Sequence, residues 1–154
     1  MPTTTTDRIE KQIQLSAPRS RVWRAITDSK EFGEWFQGVF AEPFRPGARI
    51  KGRVTYPGYE NMPIEIVIEK MEPERLFSFR WHPGAKGPDV DYSKEPTTLV
   101  AFTLEERDGG TLLRLVESGF DGIPIARRAD ALKSNDGGWT QQMTAIEKYL
   151  RKNP

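Results

Sequence analysis

Apolar and polar residues alternate over residues 8–15. Ile9, Ile13 and Leu15 share one parity against Arg8, Glu10, Gln12 and Gln14, and this period of two predicts a half-buried strand in which Lys11 is the one discordant residue. Ser16 and Ala17-Pro18 then open a different pattern. Proline suits a helix start because the N–H it lacks would have no partner there, and from Arg19 the spacing of Val22, Ala25 and Ile26 is helical. Asp28 or Ser29 is the candidate cap of a second short helix carrying Phe32, Trp35 and Phe36. The segment Pro43 to Gly47, with two prolines and a glycine, reads as a loop.

Beyond that loop the period returns to two. Ile50, Gly52 and Val54 form one set, Ile64, Ile66 and Ile68 a second, Phe77, Phe79 and Trp81 a third. Val100, Phe102 and Leu104 form a fourth, and Asp108-Gly109-Gly110 signals a hairpin into Leu113, Leu115 and Glu117. Adjoining strands without intervening helices predict an antiparallel meander. From about Ile123 to Lys152 the spacing is helical again, with Ala131, Trp139, Met143, Ile146 and Leu150 as the apolar series. Only Asn135-Asp136-Gly137-Gly138 interrupts it. Each glycine there costs roughly 1 kcal/mol relative to alanine, so the pair predicts a kink or a close approach of the backbone to something.

The order is therefore β-α-α-β-β-β-β-β-α, an α+β chain with a curved antiparallel sheet of about six strands, two short helices and one long C-terminal helix. A lone helix of that length cannot bury its apolar stripe, and a sheet with an aromatic inner face needs a cover, so the sheet should wrap the helix. Such a junction separates toward one end and predicts an internal pocket.

Composition narrows what the pocket serves. The 154 residues include 23 Lys+Arg and 22 Asp+Glu, a net charge of +1, and no basic run. Nucleic-acid binding, which draws its affinity from neutralised phosphates, is not expected. The absence of cysteine excludes disulfides, thiolate metal sites and cysteine nucleophiles. A single histidine, His82, excludes a three-histidine zinc centre within one chain. No metal or cofactor is expected. No stretch approaches the roughly 20 apolar residues of a membrane span, and the polar, threonine-rich start lacks the features of a secretory signal. The expectation is a flexible N-terminus over 1–7 and one domain over 8–152 in a cytoplasmic protein, monomeric or homodimeric.

Several short stretches, in order, carry a family resemblance: Ala17-Pro18 with Val22-Trp23 and Ala25-Ile26, then Trp35; Pro46-Gly47; Glu72 to Leu76 through Phe79 and Trp81; Thr97 to Val100; Gly110-Thr111-Leu112 with Glu117 to Phe120; and Gly137-Gly138-Trp139 with Tyr149-Leu150. In these the sequence resembles the START-like, or SRPBCC, superfamily with its helix-grip fold. Within it, the chain is similar to single-domain proteins related to the C-terminal domain of the heat-shock-protein-90 ATPase activator. The resemblance covers about residues 8–151. It implies a cavity and leaves its content open; the inward aromatic residues point first to non-catalytic binding of a small hydrophobic or aromatic ligand between the sheet and the last helix. The alternatives, in order, are a chaperone-linked domain that contacts a chaperone or client protein, and a small cyclase or hydrolase using Glu117 or His82. Fold alone does not choose among these.

The candidate ligand-binding residues are Trp35, Phe36, Phe79, Trp81, Phe102, Glu117, Phe120, Trp139 and Met143. Indole rings offer broad apolar faces with one N–H that needs a partner when buried, which suits a flat ligand with a polar group, although the same rings also make an ordinary core. Glu117 lies on the inward parity of its strand, where a carboxyl group needs a partner. It either orients a ligand, acts as a general acid or base, or pairs with Arg127, Arg128 or Lys133. His82 stands at the base of the loop 83–96, as a rim residue or as a proton donor under a lid. No catalytic set is assigned.

Overall fold

The computed structural model describes residues 7–83 and 94–154. Its elements are β1 (Arg8–Leu15), α1 (Arg19–Thr27), α2 (Ser29–Phe36), β2 (Gly38–Phe40), β3 (Arg49–Val54), β4 (Pro63–Glu72), β5 (Leu76–Trp81), β6 (Thr98–Arg107), β7 (Gly110–Ser118), a 3-10 turn (Phe120–Gly122) and α3 (Ile125–Lys152). This is the α+β helix-grip order, with seven strands where the alternation predicts about six. The additional strand is β2, whose three residues are too few to display a period. Most of the loop 83–96, and all but the last residue of the N-terminal segment, lie outside the described residues.

All seven strands join one antiparallel sheet in the order β1-β7-β6-β5-β4-β3-β2. The first strand pairs with the last, Ile9 opposite Glu117 and Leu15 opposite Thr111. The β6–β7 hairpin turns on Asp108 and Gly109, with φ of 51° and 77°. Left-handed backbone at both turn residues matches the twist of the flanking strands and is what an Asp-Gly pair supplies.

Asp28 is the cap of α2, its side chain accepting from the backbone N–H groups of Lys30 and Glu31 at 2.9 and 3.0 Å. The helix ends at Gln37, in left-handed backbone with φ of 65°. The chain then folds tightly over itself. A Cβ on Gly33 would collide with the Gly38 carbonyl oxygen, and one on Gly52 with the Val39 carbonyl oxygen, so β2 lies against α2 and β3 only because both positions lack side chains.

The inner parity of the sheet meets α3, α1 and α2 in one core. Phe77, Phe79 and Phe102 are fully buried, and Phe32 makes edge contacts with Trp35 and Phe79 at ring-centroid distances of 4.7 and 6.3 Å. Lys11, the discordant residue of the first strand, faces α3 and pairs with Asp136 at 3.0 Å. The helix α3 runs unbroken through Gly137 and Gly138. Among the described residues, no helix is long and apolar enough to cross a membrane.

Candidate functional site

One end of the junction between the sheet and α3 is not filled by side chains. A cleft of about 470 Å³ opens there, within the few hundred to a thousand cubic ångströms usual for small-molecule sites. The sheet-side wall is apolar and aromatic, from Phe36, Tyr56, Tyr59, Met62, Ile64 and Trp81. The facing wall is a single stretch of α3: Ser134, Asn135, Gly137, Gly138, Gln141 and Gln142. His82 and Pro83 contribute at the sheet end, and His82 Nε2 lies 3.0 Å from the carbonyl oxygen of Glu95.

Glu117 stands behind this cleft. Its side chain is 0% exposed, and strand parity places it inward as the alternation predicts. Four neutral side chains donate to it. The indole Nε1 of Trp139 and the amide Nδ2 of Asn135, both on α3, reach Oε1 at 2.8 and 2.9 Å. The indole Nε1 of Trp81 on β5 and the hydroxyl of Thr98 on β6 reach Oε2 at 2.8 and 2.6 Å. Asn135 Nδ2 also approaches Oε2 at 3.1 Å. One carboxyl group thereby links β7, β6, β5 and the long helix.

Charge pairing with Arg127, Arg128 or Lys133 was the sequence-level alternative for Glu117, and Arg127 is placed otherwise. It pairs with Glu95 at 2.7 Å and donates to the Pro83 carbonyl oxygen at 2.9 Å. Arg128 donates to the carbonyl oxygens of Asp121 and Ile123 at 2.8 and 3.2 Å. Neither Thr98 nor Asn135 is a binding candidate from the sequence, although each carries a signal. Thr98 has the inward parity of Val100 and Phe102, and Asn135 sits four residues before Trp139 on the same helix face.

Trp81 and Asn135 have a second role, since both also line the cleft. Because a carboxyl group accepts at both oxygens, the Asn135 amide turns its NH2 toward Glu117 and its carbonyl oxygen away from it. The Trp81 ring is held by the same group and stacks on Trp139 with centroids 5.7 Å apart.

The candidate residues therefore fall into separate places. Phe36 and Trp81 line the cleft. Phe79, Phe102, Phe120, Trp139 and Met143 lie in the core. Trp35 is buried with its Nε1 donating to the Ala25 carbonyl oxygen at 2.8 Å, which ties α2 to α1. It also borders a neighbouring depression along α3 that shares Tyr56, Gln141 and Gln142 with the cleft but adds Glu34, Lys148 and Lys152. Tyr56, Tyr59 and Met62 were not among the sequence candidates; they follow a strand and precede the next, where no periodicity points them anywhere.

Residues 16–151 match the profile of the family described as activator of Hsp90 ATPase homolog 1-like protein. The chain belongs to this family. Solved structures share the fold of this Hsp90-activator-homologue domain. Protein MLL2253 from Mesorhizobium loti aligns with a TM-score of 0.74 and 23% identity, over 96% of this chain and 98% of that one. The Aha1 dimer from Colwellia psychrerythraea aligns at 0.69 and 15%, over 93% and 95%. DynU16, a protein of the dynemicin biosynthetic locus, aligns at 0.71 and 25%, over 94% of this chain and 47% of that one, so the domain spans about half of DynU16. The first two likenesses concern fold alone. A comparison with curated proteins finds no match.

Proposed function

We propose that this Hsp90-activator-homologue domain is a non-catalytic carrier of a small, largely apolar or aromatic molecule, held between the sheet and α3. The observation that carries the reading is the cleft itself. It is of ligand size, it lies where a helix-grip fold separates, and it sets an aromatic wall against a polar one. The likeness to DynU16, from a biosynthetic locus, supports a small molecule as the occupant. Phe36 and Trp81 make the apolar contact, and Glu117 positions the wall from behind without meeting the ligand.

Native mass spectrometry after gentle purification tests this. A bound molecule of reproducible mass is the expected result. Repeated absence of any adduct, together with no chemical-shift response of the cleft residues to lipids or aromatic compounds, overturns it.

The family description favours a second reading, contact with a chaperone or client protein. The side-by-side Tyr56 and Tyr59, 42% and 56% exposed with centroids 6.0 Å apart, would be the contact. Stimulation of a chaperone ATPase that is lost in Tyr59→Ser would favour it over carriage. Cyclase or hydrolase chemistry would rest on His82, because Glu117 is sealed from solvent and both its oxygens are engaged.

A further inference from the structure

The two glycines in the middle of α3 lack the justification that the close-packed glycines of the fold have. Gly33 and Gly52 are required because backbone carbonyl groups press on them. At Gly137 and Gly138 a Cβ would meet no atom within 4 Å, and neither residue has positive φ. Alanine would fit at both positions and raise helix propensity by about 1 kcal/mol at each. Neither the packing nor the backbone of the protein accounts for them. Both line the cleft.

The chemistry of the lining is equally selective. None of the described residues around the cleft is Asp, Glu, Lys or Arg, whereas the adjoining depression has Glu34, Lys148 and Lys152. A charged molecule moving into the cleft would lose hydration and would meet no Asp, Glu, Lys or Arg among the described lining residues to offset that loss. Opposite the bare helix segment stand the ring of Trp81 and those of Phe36 and Tyr56, which favour a planar partner. Ser134 and Gln141 flank the glycines and offer hydroxyl and amide groups to the partner's edge.

Building on the carrier reading above, we propose that the cleft selects an uncharged, flat, ring-bearing molecule with hydroxyl or carbonyl groups at its edge, and that Gly137 and Gly138 are the specificity-determining residues. One face of the ligand lies on the aromatic wall and the other on exposed helix backbone. Side chains at either glycine would occupy the space of that second face.

Calorimetric titration with three probes tests this on the full chain: 1,8-dihydroxyanthraquinone, anthraquinone-2,6-disulfonate and decanol. The dihydroxyanthraquinone should bind wild-type protein at least about tenfold more tightly than either other probe, the scale on which a pocket discriminates by fit and desolvation. Gly137→Ala and Gly138→Ala should raise Tm and weaken that binding, and Gly138→Leu should reduce it by about tenfold or more. A rise in stability paired with a fall in affinity is not what a structural role produces. Equal binding of the disulfonate, preference for decanol, or unchanged affinity in Gly138→Leu overturns the inference while leaving the carrier reading intact. A lowered Tm in both alanine variants also overturns it, because the glycines would then serve the fold. Failure of all three probes to bind counts against the carrier reading itself.

Discussion

Trp81 on the sheet and Trp139 on the long helix stack at 29° between ring planes while their N–H groups bond opposite oxygens of the same Glu117 carboxyl group. Substituting Glu117 by glutamine keeps the shape but replaces one acceptor oxygen with an NH2 that faces other donors. A buried donor left unpaired costs about 1–3 kcal/mol, so Glu117→Gln is predicted to destabilise the fold by about 1–3 kcal/mol. Urea denaturation measures this, and a loss below half a kcal/mol, on the order of an ordinary surface substitution, would contradict the assignment.

Gly33→Ala sets two effects against each other. Alanine improves helix propensity by about 1 kcal/mol. Its Cβ, however, would strike the Gly38 carbonyl oxygen, a backbone atom that cannot swing aside, and overpacking of this kind costs about 1–3 kcal/mol. The clash should win, giving a lowered Tm, in contrast to the gain expected at Gly137.

Lys11 and Asp136 tie β1 to α3 through a contact that is largely solvated on the aspartate side. Pairs of this kind contribute at most about 1 kcal/mol. Lys11→Met, which matches the inward parity of Ile9 and Ile13, is predicted to change stability by no more than about 1 kcal/mol in either direction, as read by chemical denaturation. A larger loss would mean that the pair does more than its exposure suggests.

The cluster around Glu31 gives stability a dependence on pH at both extremes. Burial alone would raise the Glu31 pKa. The hydrogen bonds from Tyr149, Arg21 and Arg24, with the Arg21 charge, outweigh burial and hold it below its ordinary 4.5. Burial and the bond to Glu31 raise the Tyr149 pKa above its ordinary 10.0. The Glu31 contribution is present above its unfolded value and is lost as pH falls through the lowered folded value. The Tyr149 contribution is complete below its unfolded value and is lost as pH rises from there toward the raised one. Tyr149→Phe should remove the alkaline loss and start acid unfolding at a higher pH. Urea midpoints followed through the acid and alkaline ranges check both limbs; identical profiles for variant and wild type would refute the linkage.

Much of this architecture is legible in the alternation of residues, because a sheet with one buried face imposes its period on Phe77, Phe79, Phe102 and Leu115. Local chemistry is legible too, in the Asp28 cap and the Asp108-Gly109 turn. What escapes is non-local. The partners of Glu117 are spread over residues 81–139, and only the sheet order brings them together; charge complementarity pointed instead to nearby arginines and a lysine. The glycine pair marks the cleft wall, not a kink, because a helix tolerates glycine geometrically even while losing stability to it.

Beyond the Arg127 pair with Glu95 near its start, the long helix is secured at two stations further along. Asn135 and Trp139 bond to Glu117 on the sheet. At the far end, Tyr149 bonds to Glu31, and Arg21 reaches the Asn153 carbonyl oxygen at 2.9 Å. The stations are about 15 Å apart along the axis at 1.5 Å per residue, counted from Trp139 to Tyr149. A beam held at several points neither slides nor tilts readily, so any change in the width of the cleft would fall to the opposite bank, where Tyr56, Tyr59 and Met62 occupy the bend between β3 and β4.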